Sequence, residues 1–163
     1  MKKPLQIPIT SIPDLGKDVK LDLGDEWFRL WREEDPGLEF DAGDLTGTVR
    51  LEKHGKDILV LGHLAGHLEL TCSRCLDYYA APYDADFDLL LLPGPEPPAQ
   101  EEELTAADLD VDFISGENID LQGIIREQII LSVPLKPLCR EECRGLCPRC
   151  GANLNREPCT CKA

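Results

Sequence analysis

The sequence predicts an α+β fold: a curved antiparallel sheet, meander or barrel-like, covered by one or more helices and carrying a small C-terminal tail rich in cysteine. Three observations support this prediction. Apolar and polar residues alternate along much of the first half, one later segment has helical periodicity, and six of the eight cysteines fall within residues 139–161. A chain of 163 residues can bury one core with a small appendage. We therefore expect an acidic β-rich body at residues 1–138 and a zinc-binding tail at residues 139–163.

The strands are predicted from the alternation of apolar and polar residues. Short strands are expected at residues 5–9 and 19–23, and a longer strand at residues 45–52. Residues 58–72 then place their apolar side chains on even positions, and residues 83–91 place theirs on odd positions. Because the last three strands have short connections, they are typical of an antiparallel meander with one face in water. The CxxC motif at residues 72–75 would lie at a hairpin tip.

A helix is predicted near residues 120–132. Asp120 is a suitable N-cap, and Pro134 would end the helix. Four apolar residues recur at helical spacing and should form its buried stripe: Leu121, Ile124, Ile125 and Ile129. This helix is expected to cover the sheet.

Two other segments complete the body. Residues 93–104 are proline-rich and acidic, which predicts a flexible loop. Residues 24–36 fit either a helix or a strand. In both cases Trp27 and Trp31 are interpreted as anchors of a core or an interface.

The charge of the chain is strongly negative and unevenly distributed. The formal net charge is −14, which argues against a general phosphate-binding surface. From Cys139 onward, five basic residues against three acidic ones give +2, so residues 1–138 carry −16. This distribution suits a basic partner such as a ribosomal protein. On charge alone, the simpler interpretation is that acidity keeps the protein soluble.

The composition also bears on the compartment. No apolar run approaches the roughly 20 residues that span a bilayer, and no hydrophobic signal core follows the first lysines. We expect a cytoplasmic protein without a membrane partner. Since cytoplasmic thiols are kept reduced, closely spaced cysteines there bind metal more often than they form disulfides.

The cysteines form four close pairs, which predict two zinc sites of four thiolates each. Site one is predicted from two pairs in the tail: Cys147, Cys150, Cys159 and Cys161. Site two is predicted from the hairpin-tip pair and the pair after the helix: Cys72, Cys75, Cys139 and Cys143. A competing arrangement is one local site that leaves the other four thiols free: Cys139, Cys143, Cys147 and Cys150. Zinc is the expected ion, although the spacing also fits iron.

The predicted sites are structural, and no catalytic residue is assigned. A closed four-thiolate zinc site has no open position for water and carries a formal charge of −2, which acidifies water poorly. His63 and His67 are expected on the polar face of a strand and not as ligands. No phosphate-binding loop or hydrolase motif is present, so no small-molecule substrate is expected.

Four features, in order, carry a resemblance to a known family. They are CSRCLDYY after a hairpin strand, a downstream acidic stretch, IDLQGIIREQIILSVPLKPLC, and CRGLCPRCGANLN. Over roughly residues 5–161 the chain resembles the YceD-like family, the bacterial large ribosomal RNA subunit accumulation proteins long catalogued as a domain of unknown function, with a zinc-ribbon-like tail added. The resemblance implies a role in accumulation of large-subunit ribosomal RNA and assembly of that subunit. It implies no catalytic residues, and it marks the tail as an elaboration.

The function expected from the sequence is therefore that of a non-enzymatic zinc-binding factor. It would support large-subunit assembly by docking on a ribosomal protein or a pre-ribosomal particle. One alternative is a zinc ribbon that contacts RNA directly through basic residues of the tail: Arg140, Arg144, Arg149 and Arg156. A second alternative is a thiol redox or metal-handling protein, although neither CxxC motif follows the βαβ pattern of thioredoxin-like proteins.

Overall fold

A computed structural model gives the fold of the chain, and it describes residues 5–38, 40–94, 111–114, 116–159 and 161. The strands are β1 (Gln6–Pro8), β2 (Lys17–Leu23), β3 (Phe40–His54), β4 (Asp57–Thr71), β5 (Tyr78–Pro93), β6 (Val111–Ile114) and β7 (Asn118–Asp120). The helices are α1 (Asp25–Glu34) and α2 (Leu121–Ser132), and a single turn of 3-10 helix occupies Ile9–Ser11. Most of the predicted loop at residues 93–104 lies outside the described residues.

The sheet confirms the predicted α+β class and its curved antiparallel character. Five strands follow the order β2-β3-β4-β5-β6, while β1 and β7 form a separate antiparallel pair. Within the described part of the chain the order is open, with β2 and β6 at the ends, so the strands do not close into a barrel. One pairing differs from the rest: β6 runs parallel to β5, with Leu90 opposite Val111.

The chain divides into two compact units, and each of the three long strands contributes residues to both. The first unit comprises Met1–Leu21, Thr46–Leu64 and Asp84–Ser132. The second comprises Asp22–Leu45, Ala65–Tyr83 and Val133–Ala163.

Helix α2 supplies part of the core of the first unit. Its buried side chains are those of the predicted stripe: Leu121, Ile124, Ile125 and Ile129. Asp120 accepts a hydrogen bond from the backbone N–H of Gly123 at 3.1 Å, which is the N-cap interaction expected at that position. The helix ends at Ser132, two residues before Pro134.

The strands of the first unit follow the predicted alternation. Even-numbered residues of β4 and odd-numbered residues of β5 are buried: Ile58, Val60, Leu64, Phe87, Leu89 and Leu91. Gly62 falls on the buried face of β4, and a Cβ there would lie 2.0 Å from Cζ of Phe87. Glycine at this position therefore makes room for the Phe87 ring.

The second unit resolves the open choice at residues 24–36, which form helix α1. Phe28 and Trp31 are buried, and the rings of Trp27 and Trp31 lie 5.2 Å apart in an edge-to-face arrangement. A Cβ on Gly43 would lie 2.7 Å from Cζ of Phe28, so the strand approaches the helix closely. Both tryptophans thus belong to one aromatic cluster of this unit.

Among the described residues, no helix combines the length and the apolar character required to cross a bilayer.

Candidate metal centres

The first group of thiols, called here the hairpin site, combines two distant parts of the second unit. Cys72 and Cys75 lie in the hairpin tip (residues 72–77), which joins β4 to β5, while Cys139 and Cys143 follow α2. Cys72 Sγ lies 3.7 Å from Cys143 Sγ, and Cys75 Sγ lies 3.8 Å from Cys139 Sγ. All four sulfurs are within 4.8 Å of one another.

The second group, called the tail site, is local in sequence. It consists of Cys147, Cys150, Cys159 and Cys161, whose sulfurs also lie within 4.8 Å of one another. Cys159 Sγ is 3.5 Å from Cys150 Sγ and 3.2 Å from Cys147 Sγ. The structure therefore brings the thiols together in the two predicted groups, and the competing local group of four is not formed.

The donor set and its spacing fit a tetrahedral ion. Zinc binds thiolate at about 2.3 Å, which places the sulfurs of a tetrahedral site about 3.8 Å apart. The four sulfur–sulfur separations given above, 3.2 to 3.8 Å, are close to that edge, and all of them are well beyond the covalent sulfur–sulfur length of about 2.05 Å. Each group offers four soft ligands, so either can hold one zinc ion with every coordination position filled.

Both CxxC pairs lie in turns with the same backbone hydrogen bonds. In the hairpin tip, Leu76 N donates to Cys72 O and Cys72 N donates to Asp77 O, each at 2.9 Å. In residues 147–152, Gly151 N donates to Cys147 O at 2.9 Å and Cys147 N donates to Ala152 O at 2.8 Å. We call these turns the first and second knuckle.

The residue after the second cysteine of each knuckle has left-handed backbone geometry. Gly151 has φ of 73° and Leu76 has φ of 59°. Among the residues that the structure describes, Leu76 is the non-glycine residue with a positive φ. A left-handed conformation costs an L-residue about 1–2 kcal/mol that glycine avoids. The first knuckle is therefore strained at Leu76, while the second is not strained at Gly151.

Backbone N–H groups point at the first sulfur of each knuckle and stabilise its anionic form. Burial opposes ionisation of Cys72, but hydrogen bonds from the backbone of Cys139, Cys75 and Arg74 bring its pKa down to about 6. Hydrogen bonds from the backbone of Cys150 and Arg149 likewise lower the pKa of Cys147 to about 6. A metal-binding thiolate is thus prepared in each group.

The remaining sulfurs explain why a cation suits these groups. Burial and the neighbouring thiols raise the pKa of Cys75 to about 12. Hydrogen bonding to Cys159 and Cys150 raises the pKa of Cys161 to about 12. Four negative sulfurs repel one another at this spacing, and a divalent ion at the centre would allow all four to ionise.

Arg74 joins the hairpin tip to the segment after α2, a role that the sequence reasoning missed. Its Nη1 donates to Glu141 O at 3.1 Å and to Cys143 O at 3.0 Å. Ser73 N also donates to Pro137 O at 2.8 Å, and Leu146 N donates to Arg74 O at 3.2 Å. This role could not be predicted from the arginine in CSRC, because its hydrogen-bond partners are backbone carbonyls far along the chain.

Asn155 links the tail loop to the hairpin site and was also missed. Its Nδ2 donates to Cys143 Sγ at 3.3 Å, and its Oδ1 accepts from Arg144 N at 2.8 Å. The neighbouring Asn153 donates from Nδ2 to Asp77 Oδ2 at 2.8 Å. In sequence, GANLN indicates only a turn.

The four arginines proposed as RNA contacts have exposed side chains but differ in their surroundings. Arg156 is paired with Asp77 through a 3.1 Å ion pair inside the second unit. Arg144 donates its backbone N–H to Asn155. The structure thus leaves these side chains at the surface, with the charge of Arg156 offset by a carboxylate.

His63 and His67 lie where the sequence predicted them, exposed on β4. His63 Nδ1 lies 2.8 Å from Asp86 Oδ1 in the first unit. Neither His63 nor His67 belongs to a thiol group.

Comparison with known proteins shows the family to which the chain belongs. The family model described as "Large ribosomal RNA subunit accumulation protein YceD" matches residues 60–163, which include both thiol groups. The chain belongs to the YceD family. The matched region covers most of β4, all of β5 and α2, and residues 139–163, so the resemblance drawn from the sequence is confirmed.

Curated relatives of this YceD-family chain are found in bacteria and plants. An uncharacterized protein of Mycobacterium tuberculosis (strain ATCC 25618 / H37Rv) is 33% identical over 126 residues, which cover 75% of this chain and 59% of the relative. The "Large ribosomal RNA subunit accumulation protein YCED homolog 1, chloroplastic" of Zea mays is 32% identical over an alignment of 149 residues, and the match covers 77% of this chain and 48% of the relative. The chain thus spans about half to three fifths of the length of these relatives. No solved structure matches the chain.

Proposed function

We propose that this YceD-family protein is a non-enzymatic zinc-binding factor that supports accumulation of large-subunit ribosomal RNA. It would act in the cytoplasm by docking on a ribosomal protein or a pre-ribosomal large-subunit particle. The observation that carries the proposal is the pair of four-thiol groups, linked by Asn155, within the region matched by the family model.

The chemistry of the two groups supports a structural role for zinc. Hydrolytic zinc needs an open position for water, and here four thiolates would fill each tetrahedron. The loaded sites would fasten the segment after α2 and the tail loop to the hairpin tip. A surface with few buried apolar side chains would gain a fixed shape in this way.

Charge supports a protein partner over RNA. A zinc ion with four thiolates carries a formal charge of −2, so two loaded sites would change the formal net charge from −14 to −18. Ribosomal RNA is a polyanion and would be repelled, whereas a basic ribosomal protein would be attracted. Direct RNA binding is a second candidate, because the side chains of Arg140, Arg144 and Arg149 are exposed.

Sedimentation tests the proposal and separates the two candidates. Zinc-loaded full-length protein is centrifuged with large-subunit precursor particles at several salt concentrations, and separately with naked large-subunit ribosomal RNA. We expect co-sedimentation with the particles and no binding to the naked RNA. Steeply salt-dependent binding to the RNA alone would favour the second candidate. Free migration in every mixture would contradict both.

A further inference from the structure

The two knuckles provide an internal comparison that singles out Leu76. They share the same pair of backbone hydrogen bonds and the same left-handed residue after the second cysteine. Glycine meets this requirement without strain in the second knuckle, and its Cβ position there is open, with no atom within 4 Å. The knuckle fold itself therefore does not need a leucine side chain at this position.

The side chain of Leu76 is not held in a core. It is 61% exposed, and the nearby Tyr78 is 68% exposed. In the unbound protein this residue carries two unfavourable free-energy terms. One is the strain of its left-handed backbone, and the other is the exposure of an apolar side chain to water that a partner could exclude. Such a feature is explained if the side chain is covered when a partner binds.

We infer that Leu76 and Tyr78 form an apolar anchor that docks on a basic segment of a large-subunit ribosomal protein. The inference rests on the proposed function and deepens it by naming the contact residues. Tyrosine is enriched at the energetic centres of interfaces, where an apolar contact is surrounded by a polar rim.

The electrostatics of the knuckle point to a basic protein segment as the occupant. Arg74 is directed at the backbone carbonyls of Glu141 and Cys143, and Arg156 is paired with Asp77. The hairpin-site thiolates with one zinc ion would add a formal charge of −2 next to the anchor, which exceeds the +1 of Arg74. A partner that combines lysine or arginine with an apolar side chain complements this surface, whereas a nucleic acid backbone does not.

The anchor is also held in place before binding. Ser73 and Arg74, on the same tip, are bonded to Pro137, Glu141 and Cys143. Because the tip is fixed by these bonds, docking costs little conformational entropy.

A glycine substitution at position 76 tests the role of the leucine side chain without disturbing the left-handed backbone of the turn. Leu76→Gly keeps the left-handed turn and removes the anchor, and Tyr78→Ala removes the second apolar contact. Leu15→Gly is the matched control, because Leu15 is 88% exposed and lies in the first unit. Metal content per chain is measured for each zinc-loaded full-length variant, labelled at its amino terminus.

Binding is measured against three probes: large-subunit precursor particles, large-subunit ribosomal proteins freed of RNA, and naked large-subunit ribosomal RNA. For Leu76→Gly and Tyr78→Ala we expect about ten-fold or greater loss of affinity for the particles and the freed proteins, with the full metal content. Leu15→Gly should bind as the unaltered protein does.

Failure of the inference and failure of the proposed function give different results. If the unaltered protein binds the particles and Leu76→Gly binds them equally well, the anchor is wrong and the proposed function stands. If the unaltered protein binds neither particles nor freed proteins, the proposed function fails. If both variants lose only the binding of naked RNA, the occupant is RNA and the inference is overturned.

Discussion

Asn155 donates its Nδ2–H to Cys143 Sγ across 3.3 Å, so a side chain of the tail loop bonds a sulfur of the hairpin site. The same side chain accepts a hydrogen bond from the backbone of Arg144. Asn155 lies between Cys150 and Cys159, so closure of the tail site holds the loop that positions it. Asn155 therefore connects the tail loop directly to a sulfur of the hairpin site, while Asn153 and Arg156 of the same loop bond Asp77 of the hairpin tip.

The first prediction concerns this connection. Asn155→Ala removes a hydrogen bond to a ligand sulfur and leaves the Arg144 N–H without that acceptor. Loss of such an outer partner lowers metal affinity about 10- to 100-fold, and we expect that loss at the hairpin site. Competition with a chromophoric chelator measures the affinity, with Asn118→Ala, a change at an exposed residue of β7, as the control. Equal metal retention by both variants would contradict the connection.

The second prediction concerns the partition of the ligands. The unaltered protein should bind two zinc ions per chain. Cys72→Ser with Cys75→Ser should bind one, because it disables only the hairpin site. Cys159→Ser with Cys161→Ser should also bind one. A single local site from the four central cysteines predicts instead that neither double variant changes the metal content, as elemental analysis would reveal.

The sequence predicted the elements whose pattern is local. Helix α2 repeats its apolar residues at helical spacing, and β5 alternates along its length, so each could be predicted without its neighbours. Helix α1 was left open, because two tryptophans four residues apart fit a helical face but do not exclude a strand. Its burial around Phe28 and Trp31 depends on contacts that the sequence does not display. The parallel pairing of β6 with β5 is likewise set by tertiary structure.

The sequence predicted which cysteine pairs share a group, and the structure brings together the same two groups of four thiols. Pair spacing is a local property, but which pairs meet depends on where the chain returns after α2. The hydrogen bond from Ser73 N to Pro137 O holds the returning chain against the hairpin tip. Nothing in the sequence around Pro137 indicates this bond, because it is made by a backbone carbonyl. Arg74 and Asn155 escaped prediction because they act on backbone carbonyls and on a sulfur contributed from elsewhere in the chain.

The third prediction concerns thiol reactivity. In zinc-loaded protein all eight cysteines should resist alkylation until the protein unfolds, because the metal occupies their lone pairs. After chelation, exposed Cys150 should react before Cys75, which is buried and whose pKa is raised to about 12 by burial and the neighbouring thiols. Mass spectrometry after brief iodoacetamide treatment follows the order. Rapid labelling of the native zinc-loaded protein would support the redox or metal-handling alternative instead.

The fourth prediction exchanges the left-handed residues of the two knuckles. Gly151→Leu should lower the free energy of unfolding by between about zero and 1.5 kcal/mol. It introduces the strain of about 1–2 kcal/mol found at Leu76 into a position with room for the side chain, and the reduced freedom of the unfolded chain offsets about 0.4–1 kcal/mol of that strain. Leu76→Gly relieves that strain, but glycine also gives the unfolded chain more conformational freedom. This second effect cancels about 0.4–1 kcal/mol of the stability gained from the relieved strain. The net gain should thus lie between about zero and 1.5 kcal/mol.

Denaturant unfolding of the zinc-loaded variants measures both changes, with metal content confirming that each site is filled. Opposite signs for the two substitutions would establish that Leu76 is held in its conformation at a cost to stability. A clear loss of stability in Leu76→Gly would mean that its side chain supports the knuckle itself. In that case the leucine at position 76 would be explained by the stability of the knuckle, and backbone strain would no longer support its role as an anchor.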